Sequence, residues 1–558
     1  MRGGAKTLGM GLKALAIDFG NRDLGLLGVA RVGASFSIWS FTIALGVYGF
    51  EAHGALGVGL IALVRLLPGV IAAPYAGLLV DRYSRRAVLL ASAVAMALVL
   101  AGAAVAATLD APTGVVFAFT VLFAIVTCAY VPAESALIPG LAHTPQELSA
   151  SNVTHAAMEN LGFLLAALGA GFLLTSSSTE VVFTVAAVVA VLTAGFIFPV
   201  EHDRRPDYIH EGEAAGVFAE TAQGLQALFE HPALRLSSLT LIALIFFEGF
   251  ADVVVVIMAL ELLHLEEGAV GFLNAAWGIG AIIGGAGLAL LLDRGKLVAA
   301  IAGGSLVLGL ATMLPGFWPE ELTAYLGWLG VGLGFTFVEV AAKTLMQRLG
   351  SDETLGRVLA SLESARLASM AVGSIAAILA IEILHPQNTL ILLGAVMPVF
   401  VLVCWARLRA YEVGAPVAEG PFQLLRGNTI FAPLPIATLE RLSHDLVLVE
   451  EPAGRDVIVQ GERGDRFFLI EEGEVEVFEN GEFRRNEGPG ESFGEIALLH
   501  DVARTATVRT TVETKLLMLE RDQFLTAVTG HRRSHQLAHT VVDDRWPGDA
   551  AREPASSE

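Results

Sequence analysis

Charge is scarce in this chain of 558 residues: Asp, Glu, Lys and Arg make up 16% of it, against about a quarter in soluble globular proteins. That shortage argues against a soluble multidomain protein. Basic residues are scarcer still, 35 Lys and Arg against 56 Asp and Glu, for a formal net charge of -21. The basic face that a nucleic-acid binder needs is therefore not expected. The two cysteines, Cys128 and Cys404, lie in apolar runs, which leaves no disulfide framework and no zinc cluster. Residues 1–22 carry Arg2, Lys6, Lys13, Asp18 and Arg22 without a clean apolar core and small-residue cleavage site, so no cleavable signal peptide is expected. No G-x-x-x-x-G-K-[ST] phosphate loop occurs, so ATP-driven pumping has no support.

Apolar residues are abundant, at 54% with a mean hydropathy of +0.64. About 20 apolar residues span a bilayer as a helix. Twelve such runs follow one another, near 23–49, 54–80, 87–108, 113–138, 148–174, 181–199, 236–260, 268–292, 297–314, 322–346, 356–384 and 388–408. The odd-numbered connections hold carboxylates such as Glu51, Asp110, Glu180, Glu266 and Glu320 but no Lys or Arg. Most even-numbered connections hold Arg or Lys: Arg82, Arg85 and Arg86, then Arg204 and Arg205, then Arg294 and Lys296, then Arg348. Positive charge stays inside, so both termini are expected in the cytoplasm and the chain in the cytoplasmic (inner) membrane. Two segments repeat: Gly77 to Asp81-Arg82 and Ala289 to Asp293-Arg294, with the aspartates 212 positions apart. A six-helix unit used twice is a transporter signature. Near residue 410 the apolar body gives way to a charged tail with 27 acidic and 15 basic residues in 411–558.

The run Gly77-x-x-x-Asp81-Arg82-x-x-Arg85-Arg86, the twelve spans and the inside termini resemble the major facilitator superfamily. Segments such as "VRLLPGVIAAPYAGLLVDRYSRR", "VPAESALIPGLA" and "LGRVLASLESARL" resemble its enterobactin-exporter and drug-efflux branch, over residues 20–408. Glu134 stands where that branch has a basic or neutral residue. The loop motif reads as a switch in which Asp81 meets a helix N-terminus such as that near Thr354, while Arg85 and Arg86 pair with carboxylates or lipid phosphate. The alternative is a topology signal, which leaves Asp81 without a role, so the switch is the favoured reading. The expected organisation is an N-terminal segment 1–22, a first half 23–199, a cytoplasmic loop 200–235, a second half 236–409, a linker 410–420, a globular domain 421–546 and a disordered tail 547–558.

Ionisable groups inside the bilayer are costly and so become functional candidates. They are Arg31, Arg65, Glu159, Glu248, Asp252 and Glu339. Glu248 and Asp252 share one helix face at i, i+4, as do Glu339 and Lys343, with Glu363 and Arg366 at i, i+3. The last two pairs are expected to close on themselves. Glu248 and Asp252 are expected to carry a coupled proton, the alternative being fixed ion pairs with Arg31 or Arg65. In the superfamily helices 1, 4, 7 and 10 line the cavity, which would place Arg31, Glu248, Asp252 and Glu339 there. Phe36, Trp39, Phe123, Tyr130, Phe246, Phe250 and Phe335 suit an amphipathic organic solute or lipid-facing packing.

In the tail, residues 446–520 alternate apolar and polar between Gly-rich turns, the pattern of an antiparallel β-roll with flanking helices. The segment Phe493-Gly494-Glu495-Ile496-Ala497 followed by Arg504-Thr505-Ala506 combines a turn glycine, a helix start that can face an anion and a guanidinium fork suited to phosphate. It resembles the phosphate-binding cassette of cyclic nucleotide-binding domains, over residues 421–530. The resemblance implies that Glu495 holds the ribose 2′-hydroxyl and Arg504 the cyclic phosphate. Backbone of Gly494, Ala497 and Ala506 would complete the cradle. Within that family Thr505 bears on the choice between cAMP and cGMP, and cAMP is the expected ligand. Trp546 could cap the base.

The combined expectation is a twelve-helix transporter in two halves that exports an organic solute, driven by protons, with a cytoplasmic cyclic nucleotide biasing alternating access through helix 12 and the loops at 200–235 and 348–357. A non-transporting nucleotide sensor and a lipid flippase are the alternatives. No nucleophile–base constellation points to an enzyme, and the sequence sets no oligomeric state.

Overall fold

The computed structural model describes residues 18–142, 145–200, 232–292, 297–349, 352–412, 419–434, 436–529 and, beyond these, 534, 537, 538 and 540. It divides into two compact units, Met1–Val413 and Gly414–Glu558. The expectations for residues 1–17, the inter-half loop, the linker, Asp293, Trp546 and the tail lie outside the described residues.

In the first unit ten helical stretches are long and apolar enough to cross a membrane. Two of them are pairs. The helix Arg22–Arg82 is broken at His53 and Gly54, the latter with φ 59°. A Cβ at Gly49 would meet Ile61 at 2.6 Å, although 12 residues of unbroken helix span ~18 Å, so the chain reverses there. A second break falls at His385. Counting the pairs separately gives twelve spans: α1 (22–52), α2 (55–82), α3 (Arg85–Thr108), α4 (Thr113–Thr127 continued by Tyr130–Leu141), α5 (Pro145–Ser176), α6 (Thr179–Ile197), α7 (Pro232–Ile257, ending in a π turn Met258–Leu262), α8 (Gly268–Leu292), α9 (Leu297–Phe317), α10 (Glu321–Leu349), α11 (352–384) and α12 (386–412).

Side-chain caps start the helices where the sequence supplies them. Asn21 accepts from the amides of Asp23 and Leu24, at 3.1 and 3.4 Å. It also donates to the Leu141 carbonyl at 3.0 Å, so one residue caps α1 and fastens it to the end of α4. Ser84 caps α3 by accepting from Ala87.

The two six-helix halves meet through small residues near one end. A Cβ at Gly271, in the first turn of α8, would fall on the backbone of Gly171 in the last turns of α5, and one at Gly268 on Thr175. Gly59 of α2 leaves room for Ile378 of α11, and Gly46 of α1 for Val256 of α7. All four contacts lie toward the ends that carry the odd-numbered connections. Small residues permit this backbone-to-backbone approach. Deeper in the bundle, Leu66 packs with Ile245, Met370 and Ala371; beyond it α2 exposes Ile71 and Tyr75.

The second unit begins with α13 (Glu419–Gly427) and α14 (Ile436–Asp445). Two four-stranded antiparallel sheets follow, in the orders β1-β8-β3-β6 and β2-β7-β4-β5. Their strands are β1 (Val447–Glu451), β2 (Asp456–Ile458), β3 (Arg466–Glu472), β4 (Val475–Glu479), β5 (Glu482–Glu487), β6 (Ser492–Phe493), β7 (Thr507–Thr510) and β8 (Thr514–Glu520), with α15 (Glu495–Leu499) between β6 and β7 and α16 (Arg521–Thr529) after β8. β3 reads as a continuous apolar run because both faces are covered. Phe467 and Leu469 pack with Phe431 and Phe524 of the helices. Phe468 and Ile470 point into the roll with Val475, Phe493 and Val508.

Candidate functional site

Chemistry gathers in both units. In the β-roll, β6 ends at Phe493, which pairs in register with Phe468 and stacks on its ring at 5.2 Å. Gly494 then turns the chain with φ 95° and caps α15. A Cβ there would stand 2.8 Å from the Arg504 guanidinium and 2.9 Å from the Arg466 carbonyl. Glycine is required twice over, by the backbone angle and by the space.

Arg504 sits in the loop before β7. Its backbone is tied to the facing loop by Arg504 N–H to the Glu462 carbonyl at 2.8 Å and Gly461 N–H to its own carbonyl at 2.9 Å. Its side chain is buried and donates from Nη1 to the Gly494 carbonyl at 3.0 Å and from Nη2 to the Arg466 carbonyl at 2.7 Å. Burial pulls its pKa below the usual guanidinium value, opposed by the carboxylates of Asp465, Glu495 and Glu462. It keeps its charge, because an arginine is not deprotonated in proteins.

Glu495 is 1% exposed. Both residues line one open cleft of about 380 Å³, together with Phe493, Gly494, Ile496, Ala497, Thr505 and Ala506. Ile458, Val477 and Val508 form its apolar wall. All eight residues singled out in the sequence thus converge. Sequence reasoning missed Arg485 of β5, which also lines the cleft and pairs with the buried Glu487 at 2.8 Å; its only signal was a basic pair inside an acidic run.

In the membrane unit, a small cavity lies where the halves meet. Arg65 of α2 and Asp252 of α7 line it and form an ion pair at 2.8 Å. Arg65 also approaches Thr42 of α1 at 3.4 Å. Of the fixed-pair alternatives, the one between Asp252 and Arg65 is the arrangement present. Glu248, one turn away on α7, has Arg366 of α11 at 3.9 Å. Glu339 is bound by Lys343 at 2.6 Å, as its spacing suggested. The Glu363 side chain lies outside the described residues, so the pairing expected between it and Arg366 is not described here; Arg366 faces Glu248.

Arg31 takes no part in this cavity. It is buried within the first half, bonded to Glu134 of α4 at 2.9 Å and Glu159 of α5 at 2.8 Å. The superfamily would place Arg31, Glu248, Asp252 and Glu339 in one cavity; of these four, Asp252 lines the cavity described here. Glu134 was a departure from family pattern in the sequence, and the structure gives it a partner. Of the aromatics, Trp39 lines the cavity and packs on Phe163 at 4.9 Å. Phe123, Tyr130 and Phe250 are buried in helix packing.

The loop motif is partly described. Arg86 donates to the Phe198 carbonyl at the end of α6 and lies over that ring at 5.8 Å, a cation at a helix C-terminus. The partner expected for it was a carboxylate or a phosphate. Arg82 is exposed and Arg85 half-buried, while a Cβ at Gly77 would meet nothing. The Asp81 side chain and its expected neighbours near Thr354 lie outside the described side chains.

Comparison with known proteins adds four findings. The family model for the Major Facilitator Superfamily matches residues 27–374. The model for the cyclic nucleotide-binding domain matches residues 448–531. Among solved structures, a POT family transporter in complex with thioalcohol conjugated peptide superposes with a TM-score of 0.56 at 14% identity, over 69% of this chain and 96% of that one, a likeness of fold. The regulatory domain of Toxoplasma gondii PKA with cAMP aligns at 25% identity and a TM-score of 0.21, over 24% of this chain; the chain spans 53% of that relative.

Proposed function

Because the chain belongs to the Major Facilitator Superfamily and carries a cyclic nucleotide-binding domain after its second half, we propose that it exports an amphipathic organic solute in exchange for protons, under the control of a cyclic nucleotide, cAMP foremost. The termini and the nucleotide domain then lie in the cytoplasm and the protein in the cytoplasmic membrane, a reading that the Arg and Lys placement supports.

The observation that carries the regulatory reading is the pairing of buried Arg504 with buried Glu495 on one cleft. One fixed cation and one carboxylate with an apolar wall between β strands match a ligand that has a single phosphate, a hydroxyl and a flat base. Arg504 takes the phosphate through its fork, Glu495 accepts from the ribose hydroxyl, and Ile458, Val477 and Val508 cover the base.

For transport, the support is the contact of the halves at the end carrying the odd-numbered connections. On the proposed orientation that end is external, so this is an inward-facing arrangement. Opening outward must separate Arg65 from Asp252 and Gly171 from Gly271. Breaking an ion pair in low dielectric is costly unless the carboxylate gains a proton or the guanidinium a new partner, which is how proton arrival at Asp252 or Glu248 would drive the change. The switch motif of Gly77, Asp81, Arg82, Arg85 and Arg86 would then seal or release the cytoplasmic end.

Nucleotide can bias this equilibrium only by binding one conformation better than another; a tenfold preference supplies ~1.4 kcal/mol. The test is spin labels at Ser178 and Glu266, both exposed at the external ends, read by pulsed dipolar spectroscopy on the full chain with and without cAMP and cGMP. The expected result is a shift in the distance populations with cAMP that disappears in Arg504→Ala. Populations indifferent to both nucleotides would end the regulatory reading.

A further inference from the structure

The first half holds a second set of titratable groups that the scheme above does not use. Glu134 and His155 are 4% and 7% exposed, on α4 and α5. Glu134 Oε2 accepts from Arg31, whose other terminal nitrogen goes to Glu159. Glu134 Oε1 is buried and has no hydrogen-bond partner among the described residues, and the same is true of His155 Nε2. The two atoms stand 3.9 Å apart.

The tautomer follows from the neighbours. His155 Nδ1 lies 3.0 Å from the Ser151 carbonyl, which can only accept, so Nδ1 carries a hydrogen. In the neutral ring Nε2 is then a bare lone pair. It faces a carboxylate oxygen, another lone pair, out of reach of water. Two buried acceptors facing each other are unfavourable; a proton on either one satisfies both once the two side chains close by about 1 Å to hydrogen-bond distance.

The charge count asks for the same proton. Arg31 supplies one positive charge against Glu134 and Glu159. Asp18, fully buried, accepts from the Ser151 hydroxyl at the next turn and adds a negative charge on the same side. Among the described residues, the other elements packed here offer no compensation: Tyr130 of α4 approaches the Ala30 carbonyl at 3.5 Å, Arg86 of α3 goes to Phe198, and Arg65 of α2 goes to Asp252. Excess negative charge in a bilayer interior is costly.

We propose that Glu134 and His155 form a proton-binding site in the first half, holding one exchangeable proton between Glu134 Oε1 and His155 Nε2, separate from Glu248 and Asp252. It deepens the proton-coupling part of the reading above and is independent of the nucleotide part. The proton is held while Arg31 grips both carboxylates. A cationic group of a solute that reaches Glu159, whose side chain is half exposed, competes with Arg31 for it. Arg31 is then released toward Glu134, and the proton leaves Glu134 and His155 for water admitted beside the half-exposed Glu159. One cation enters as one proton leaves, so the charge balances.

The test is infrared difference spectroscopy on the full chain in lipid, cycled between acid and alkaline buffer, which reads the carboxylic-acid and imidazolium bands without any solute. One proton-dependent component is expected to vanish in Glu134→Gln. In His155→Gln its midpoint is expected to move by about one pH unit, a tenfold change in proton affinity, because the proton has lost its second acceptor. Glu248→Gln should remove a different component, so failure of this site and failure of the Glu248 assignment read separately. A difference spectrum in Glu134→Gln equal to that of the wild type overturns the proposal. Should that variant fail to fold, an unmoved midpoint in His155→Gln overturns it as well.

Discussion

Removing the Arg504 side chain is the sharpest test of the nucleotide cleft. A hydrogen bond to a charged group contributes ~1.5–3 kcal/mol, and a bidentate guanidinium–phosphate contact makes two. The gain on binding is smaller than their sum, since the same fork already donates to the carbonyls of Gly494 and Arg466. A net loss of about 3 kcal/mol in Arg504→Ala corresponds to ~150-fold weaker binding. The substitution also leaves those two carbonyls without this donor, at a cost of ~1–3 kcal/mol each to the fold of the β-roll. Arg504→Lys separates the two effects: it keeps the charge and loses the planar fork, so binding should fall by about tenfold. The assay is isothermal titration of cAMP and cGMP into the full chain, with a thermal melt of each variant beside it. A folded Arg504→Ala protein that binds within about threefold of the wild type would refute the reasoning.

Further outcomes follow from other contacts. Glu495→Gln should weaken nucleotide binding roughly 10- to 150-fold through the lost ribose contact, measured by the same titration. Asp252→Asn or Arg65→Met removes one partner of a half-buried pair between the halves. Each should move the populations seen by the Ser178 and Glu266 labels by ~1–3 kcal/mol, about 5- to 150-fold, away from external closure; identical populations would count against the pair as a latch. Gly271→Val should do the same without touching a charge, since its side chain would fall on the Gly171 backbone. In the β-roll, Arg509 holds the Asp456 carboxyl below its usual range. The depressed value means that the pair's contribution is present above about pH 4 and lost as pH falls through the folded-state value. Both groups are exposed, so added salt should erase it; acid melts of Asp456→Asn at low and high salt would show whether it does.

Much of this architecture was legible in the sequence because it is written in short-range terms. Twelve apolar runs separated by charged connections need only the thickness of a bilayer to be counted. The cassette from Phe493 to Ala506 is a local turn and helix whose residues converge because Gly494 lets them. What could not be read depends on distance through space. Arg31 and Glu134 lie 103 positions apart, and Arg65 and Asp252 lie 187 apart. Their pairing is set by how six helices pack, which the identity of each residue does not encode. Arg31 looked equally able to meet Asp252, and only the packing of α1 against α4 and α5 turns it away. The continuous apolar run of β3 likewise hides its two faces until the helices and the second sheet are placed.

The seam between the halves has a consequence for how such a protein changes over generations. At Gly171, Gly268 and Gly271 the wall is main chain, so every available replacement is larger than the residue it replaces. Mutation at these positions can therefore push in one direction only, prying that end of the seam apart and never tightening it. The resting bias of the machine can drift open by single substitutions far from any charged group, while a return needs reversion or a compensating loss of bulk on the facing helix.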